Sequence, residues 1–196
     1  MSYPMPKSLN DYLHQSVAAI NASMSDDISI AMNKAIDATV TALRAGKPLL
    51  TCGNGGSAAD ASHIAGELVG RFFRERKPYN VISLCDNSVA FTAIGNDYSY
   101  EEIFSKQVQA YGQPGAVLIG ISTSGNSKNV LAAVRAAKDI GMTTIVMTGE
   151  AGGKCADLAD ILLPANARVT PIIQQVHECW YHYFCMRVEE MLGDAP

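Results

Sequence analysis

Cys52-Gly53-Asn54-Gly55-Gly56-Ser57-Ala58-Ala59-Asp60-Ala61-Ser62-His63-Ile64-Ala65-Gly66-Glu67 reads as the end of a strand, a glycine-rich turn and the start of a helix. The apolar run Pro48-Leu49-Leu50-Thr51-Cys52 leading into it has the length and character of a buried parallel strand. Asn54-Gly55-Gly56 can enter backbone conformations closed to other residues, and it lets a ligand approach the main chain closely. Ser57 is the expected N-cap, with the Asp60 carboxylate as its partner for the first turn. His63 and Glu67 stand four apart and share one helix face. A small-ligand loop and an imidazole–carboxylate pair therefore lie within a few turns of each other.

Outward from this stretch the strand–helix alternation continues. Residues 116–121 (Ala-Val-Leu-Ile-Gly-Ile) are the strongest strand signal, and residues 79–85, 143–147 and 161–163 are further strands, the last stopped by Pro164. Helices are expected from the first turn to about residue 73, over 88–94 and 100–111, after Ser127 until Gly141, over 156–159, and from near Pro171 to about Leu192. Arg71, Arg74, Glu75, Arg76 and Lys77 read as a solvated helix end and loop. Such alternation means an α/β fold with a parallel sheet covered on both faces.

Two amphipathic helices come first. Leu9, Leu13, Val17 and Ile20 recur at helical spacing in one, and Ile28, Met32, Ile36, Val40 and Leu43 in the other. Asp26 or Asp27 is the expected cap of the second, and Gly46 with Pro48 ends it. These helices pack on the sheet or on another subunit. The C-terminal helix carries Ile172, Ile173, Val176, Trp180, Phe184, Met186, Val188 and Met191 on more than one side, which suggests an oligomer interface.

At 196 residues and 48% hydrophobic, the chain supports one sizeable core and a single domain over 1–196. A net charge of -4 without a basic stripe argues against nucleic acid as a direct ligand. No apolar run reaches the length of a membrane span, and residues 1–7 lack a signal-peptide pattern. Cys52, Cys85, Cys155, Cys179 and Cys185 are odd in number and form no C-x-x-C pair, so they read as reduced thiols of a cytoplasmic protein.

Three motifs carry chemistry. Gly53 to Ala58 fits G-x-G-x-x-A after a strand, with Asp86 ending the next, which is the outline of a dinucleotide site. Asp86 lies farther along than the usual acidic residue. Ser122-Thr123-Ser124-Gly125-Asn126-Ser127 follows the strongest strand and precedes a helix. Free N–H groups of such a turn, joined by hydroxyl donors, make a phosphate cradle without lysine; an N-cap cluster of solvated serines is the other reading. Gln174-Gln175-Val176-His177-Glu178-Cys179-Trp180-Tyr181-His182 on the last helix offers imidazole and amide groups that can face the imidazole and carboxylate of His63 and Glu67, a plausible divalent-metal set. Spacing alone pairs His182 with Gln175 rather than Gln174, and core histidines remain the other reading.

Taken together, the Gly53–Asp60 stretch, His63, Glu67, Gly95-Asn96-Asp97-Tyr98, Ser122 to Ser127, and Ile173-Gln174 with His177 and His182 resemble the phosphoheptose isomerases of the sugar-isomerase (SIS) fold, over roughly residues 48 to 190. The resemblance implies a five-stranded parallel sheet wrapped by helices, assembled as a homotetramer with sites at subunit contacts. It implies interconversion of sedoheptulose 7-phosphate and D-glycero-D-manno-heptose 7-phosphate, the first step towards nucleotide-activated heptose for lipopolysaccharide, capsule or surface-layer glycan. Position by position, it assigns substrate contacts to Asn54, Gly55, Gly56, Glu67, Asn96, Asp97, Ser122, Thr123, Ser124, Ser127 and Gln174. It assigns one zinc per subunit to His63, Glu67, Gln174 and His182, with Glu67 as base and His182 as acid, and so selects Gln174 over Gln175. The family usually has Arg-Ile-Gln-Glu where this chain has Ile172-Ile173-Gln174-Gln175, and Ser99 replaces a common glycine. The alternative is a non-catalytic relative of the same fold and tetramer that binds the bacterial replication initiator protein and lacks the Glu67-type carboxylate and second imidazole. A nicotinamide dehydrogenase is third, and would need a separate substrate domain.

Overall fold

The computed structural model describes residues 5–193. Two helices, α1 (Leu9–Ala22) and α2 (Asp26–Arg44), precede β1 (Leu49–Gly53). There follow α3 (Gly56–Val69), β2 (Val81–Ser83), α4 (Ser88–Asp97), a 3-10 turn (Tyr100–Glu102), α5 (Ser105–Tyr111) and β3 (Val117–Ile121). The chain closes with α6 (Lys128–Ile140), β4 (Thr143–Gly149), α7 (Gly153–Ala156), β5 (Ile161–Ala165) and α8 (Thr170–Gly193). All five strands run parallel, in the order β2-β1-β3-β4-β5.

Strand side chains alternate between two cores, because successive residues point to opposite faces of a sheet. Leu49, Val117, Ile119, Ile145 and Met147 join α2, α3 and α8 on one face. Leu50, Leu118 and Val146 join α5 and α6 on the other. The chain leaves β1 through α3 on the first face and leaves β3 through α6 on the second. Adjacent strands whose connections part in this way open a crevice at their carboxyl ends, where α/β proteins bind ligands. The Gly53–Gly56 turn and the serine loop are the two lips of that crevice.

Local chemistry shifts several expected boundaries. Ser25, not Asp26 or Asp27, caps α2: its hydroxyl accepts the Ile28 N–H at 3.2 Å, and the two aspartates occupy the first turn. Ser57 is not a cap either, since α3 begins at Gly56 behind Gly55 and Ser57 is buried inside the first turn. Its N–H is already taken by the Asn54 carbonyl at 3.0 Å. The strand expected over 79–85 contracts to Val81–Ser83, and the helix expected over 100–111 splits into a 3-10 turn and α5. The helical piece expected over 156–159 falls instead at Gly153–Ala156. β5 runs through Pro164, which an edge strand tolerates.

α3 ends at Val69, short of the expected Phe73, and the segment after it is not merely solvated. Glu189 of α8, 2% exposed at its side chain, accepts N–H bonds from Phe72, Phe73 and Arg74 and pairs with Arg76 Nε at 3.0 Å. Arg76 also donates to the carbonyls of Glu67, Leu68 and Gly70. One buried carboxylate thereby ties the α3 exit to α8.

The apolarity of α8 is largely used within the chain, where it packs against α1, α2 and α3. α1 does not lay its apolar stripe on the sheet. It turns Ser16 and Ala19 inward and leaves Leu9, Leu13 and Val17 at 71%, 49% and 56% exposure. Cys52, Cys155 and Cys185 are buried thiols whose pKa is pushed up by burial, to about 11 for Cys155; all five cysteines are free. No helix among the described residues is long and apolar enough to cross a membrane.

Candidate active site

At the first lip, Gly55 takes φ +56°, and a Cβ on Gly56 would lie 2.3 Å from the Gln174 amide nitrogen. A side chain at Gly56 would push the Gln174 amide away from the start of α3. Gln175 points elsewhere, donating to Tyr12 Oη of α1 at 2.8 Å. The Asn54 amide is engaged on both sides. It exchanges reciprocal 2.8 Å bonds with the Asn129 amide of α6, and its Oδ1 also accepts from Tyr100 Oη at 3.0 Å. Asn129 and Tyr100, which sequence reasoning missed, bracket this loop. Neither stands at a spacing that would reveal it, because both contacts arise only when the strands are laid side by side.

The second lip is ordered by its own hydroxyls. Ser122 Oγ donates to Ser127 Oγ at 2.9 Å, and Ser124 Oγ accepts the Asn126 N–H at 3.1 Å. Gly125 has φ +65°, and a Cβ there would sit 1.9 Å from the Gly152 carbonyl, so the loop is clamped to residues 149–153. Thr123 and Ser124 line a cavity of about 360 Å³ whose wall includes Glu150, Arg168 and Ile173. Arg168, ion-paired to Glu150, is a third residue that sequence reasoning missed. Asn96 and Asp97 bond to each other at 2.8 Å at the exposed end of α4; the hydrogen bonds of the described residues tie them to neither lip.

Beside the first lip, α3 and α8 pack together and assemble a cluster of imidazoles and carboxylates. His63 Nε2 lies 3.0 Å from Glu67 Oε1, and Tyr181 Oη lies 3.0 Å from His63 Nδ1. With Glu67 ionised, Nε2 carries the proton and donates to it, and the tyrosine hydroxyl donates to Nδ1. The His182 ring stands edge-on to His63, centroids 5.0 Å apart. Ligating atoms of His63, Glu178 and His182 all lie within 4.8 Å of one another. A four-coordinate zinc bound at about 2.0–2.2 Å needs donors gathered on that scale. Asp60, one turn before His63, has a buried Oδ2 with no hydrogen-bond partner. Burial, then the charge of Glu178, raises its pKa to about 6 against the opposing pull of His63. Burial and the surrounding carboxylates also push the Tyr181 phenol up. An orphaned buried carboxylate oxygen, two imidazoles and further carboxylates suit a divalent cation.

Glu178 was not among the expected ligands, although it stands four residues from both Gln174 and His182, one helical stripe. His177 is set apart: fully buried, it donates from Nε2 to the Thr148 carbonyl at 2.9 Å, and burial draws its pKa down to about 4. It is a neutral core histidine. Asp86, the acidic residue of the dinucleotide outline, instead accepts from Ser62 Oγ at 2.6 Å.

A SIS domain model matches residues 11–149. The phosphoheptose isomerase of Nitratidesulfovibrio vulgaris is 51% identical over 150 residues, 76% of this chain and 72% of that protein. The phosphoheptose isomerase of Rhodospirillum rubrum is 46% identical over 166 residues, covering 85% and 88%. The solved phosphoheptose isomerase of Neisseria gonorrhoeae superposes with a TM-score of 0.87 at 37% identity, over 93% of this chain and 97% of that one. These comparisons give no support to the non-catalytic reading.

Proposed function

The chain belongs to the phosphoheptose isomerases, a branch of the SIS-domain family, and from that premise we propose that it interconverts sedoheptulose 7-phosphate and D-glycero-D-manno-heptose 7-phosphate. The observation that carries this reading is the contact of both Glu67 and His182 with His63, beside the glycine turn of a crevice whose other lip carries the serine hydroxyls. Aldose–ketose isomerisation by proton transfer needs a base at the carbon acid and an acid at the carbonyl oxygen. Glu67 takes the proton from carbon, an enediol(ate) forms, and His182 protonates oxygen. Ser122, Thr123, Ser124 and Ser127 hold the phosphate with their hydroxyls and the α6 N-terminus. Asn54, Gly55, Gly56, Asn96, Asp97 and Gln174 orient the sugar, Asn54 through a loop that Asn129 and Tyr100 keep rigid.

His63, Glu67, Gln174 and His182 are the residues assigned to a zinc, one per subunit. When bound, the ion supplies Lewis acidity that favours the enediolate. The active assembly is a homotetramer with sites at subunit contacts, working in the cytoplasm at the first step of nucleotide-activated heptose synthesis.

Incubation of the purified protein with sedoheptulose 7-phosphate should yield the aldose, resolved chromatographically from the ketose. In deuterium oxide, solvent deuterium should enter at the exchanging carbon. Glu67→Gln should lose at least about a hundredfold in turnover, the lower end for general acid–base catalysis. Near-normal turnover in that variant removes Glu67 from the role of base. Complete retention of the substrate hydrogen would favour a hydride shift, although internal return of the proton can mimic it.

A further inference from the structure

Two carboxylates compete for His63. Glu67 reaches it from the same helix and is hydrogen-bonded to Nε2. Glu178 reaches across from α8, and it is Glu178, not Glu67, that completes the group of mutually close ligating atoms with His63 and His182. The two roles asked of Glu67 conflict. A carboxylate held on a cation has a lone pair committed and its proton affinity lowered, so it is a poor base while it stays there. If Glu67 leaves, two imidazoles and the neutral Gln174 amide remain, and neither type of donor carries charge to hold the ion.

We infer that Glu178 is itself a ligand of the divalent metal, together with His63 and His182, and that it keeps the ion seated while Glu67 is free to move the proton. The inference rests on the isomerase reading above and divides the two tasks between two side chains. Its geometry is favourable. Gln174, Glu178 and His182 follow one another at helical spacing on α8, so one face of a single helix presents amide, carboxylate and imidazole. Glu178 is exposed at the mouth of the cluster and reaches the site without burying a lone charge. The buried Asp60 Oδ2 behind it has no partner, as expected of a pocket whose negative charge awaits a cation.

The test is metal binding, read apart from turnover. Metal-free protein is titrated with zinc in competition with a chromophoric chelator, and with cobalt(II) followed by its visible absorption. Glu178→Gln should weaken zinc binding by at least about tenfold, the low end even for residues that only support ligands, and should change the cobalt spectrum. Glu67→Gln should weaken the site by about ten- to a hundredfold, because Glu67 orients His63, yet should still take up one ion per chain, held by His63, Glu178 and His182. Glu178→Asp should fall between the parent and Glu178→Gln, which separates loss of a ligand from loss of fold. Unchanged affinity and spectrum in Glu178→Gln would overturn the inference, and so would an empty site in Glu67→Gln. Sedoheptulose 7-phosphate turnover by the parent protein is scored separately. An inactive parent sinks the function, whereas the affinity and cobalt spectrum of Glu178→Gln decide the ligand assignment by themselves.

Discussion

Ser124 and Ser127 are each held by one hydrogen bond that uses an oxygen lone pair and leaves the hydroxyl proton free. Ser124 Oγ accepts from the Asn126 N–H, and Ser127 Oγ accepts from Ser122. Both can therefore donate to an anion at the crevice. A charge-assisted bond contributes about 1.5–3 kcal/mol, so Ser124→Ala should raise the Michaelis constant by about tenfold or more. Unchanged kinetics in both Ser124→Ala and Ser127→Ala would rule out the cradle. His177 makes a prediction about pH. Its folded pKa of about 4 lies below the usual 6.5, so between those values the unfolded chain binds a proton that the folded one refuses. Stability should then be intact above pH 6.5 and fall as the pH drops towards 4, by about 3 kcal/mol in all. Denaturant melts of the parent and His177→Leu at pH 7 and pH 5 should show a smaller pH difference in the variant; equal differences would mean another group controls the slope. The serine loop was legible because its chemistry is contiguous in sequence. Glu178 was not legible because α8 carries polar residues on several faces, and only the α3–α8 packing shows which stripe faces His63.

At the scale of elements, the α3–α8 pair is the critical unit, and Glu189 is its clasp. Burial alone would raise the pKa of this carboxylate, but the N–H groups of Phe73, Phe72 and Arg74 and the Arg76 charge outweigh that and hold it low. Its folded pKa is depressed, so its contribution is present above the unfolded value near 4.3 and is lost as the pH falls through the folded one. Removing one partner of a buried pair leaves the other charge uncompensated, so Glu189→Ala should cost about 3–5 kcal/mol in denaturant unfolding. A loss under 1 kcal/mol would mean that water replaces the carboxylate, and that the segment after α3 is not held by it. The basic run Arg71 to Lys77 looked like solvated loop because its acidic partner sits more than a hundred residues away, and no local pattern couples Arg76 to Glu189. The clasp also keeps α3 from running on, since the N–H groups of Phe72, Phe73 and Arg74 are taken by a side chain from another helix.

On the scale of the whole molecule, α1 presents an unpartnered stripe, Leu9, Leu13 and Val17. A cavity of about 510 Å³ lined by Met24, Ile28, Met32, Trp180 and Tyr183 lies at the turn that follows α1 and shares no lining residue with the His63 cluster. An exposed apolar stripe on a helix otherwise held by α8 favours association of copies. Sedimentation of the parent protein should report a tetramer. Leu13→Glu with Val17→Glu should shift it to smaller species and lower turnover, since the sites are proposed to lie at subunit contacts. A stable, fully active monomer would contradict shared sites. The C-terminal helix, expected at the interface from its composition, also packs within the chain against α1, α2 and α3 and leaves Tyr183 exposed.

What the sequence alone determined is what depends on neighbours in the chain. Strand runs such as 116–121, the helix stop at Gly141, the two polar loops and the parallel α/β class all follow from periodicity and turn chemistry. These act over a few residues, and the structure repeats them with boundary shifts of a few positions. Only the tertiary structure decided which residues meet. It turned the α1 stripe outward, set Gln174 rather than Gln175 against Gly56, locked Asn54 to Asn129, buried Arg76 on Glu189 and brought Glu178 to His63 and His182. Each of these depends on the angle and register at which distant elements pack. That is set by the summed burial of whole faces, which no local pattern contains.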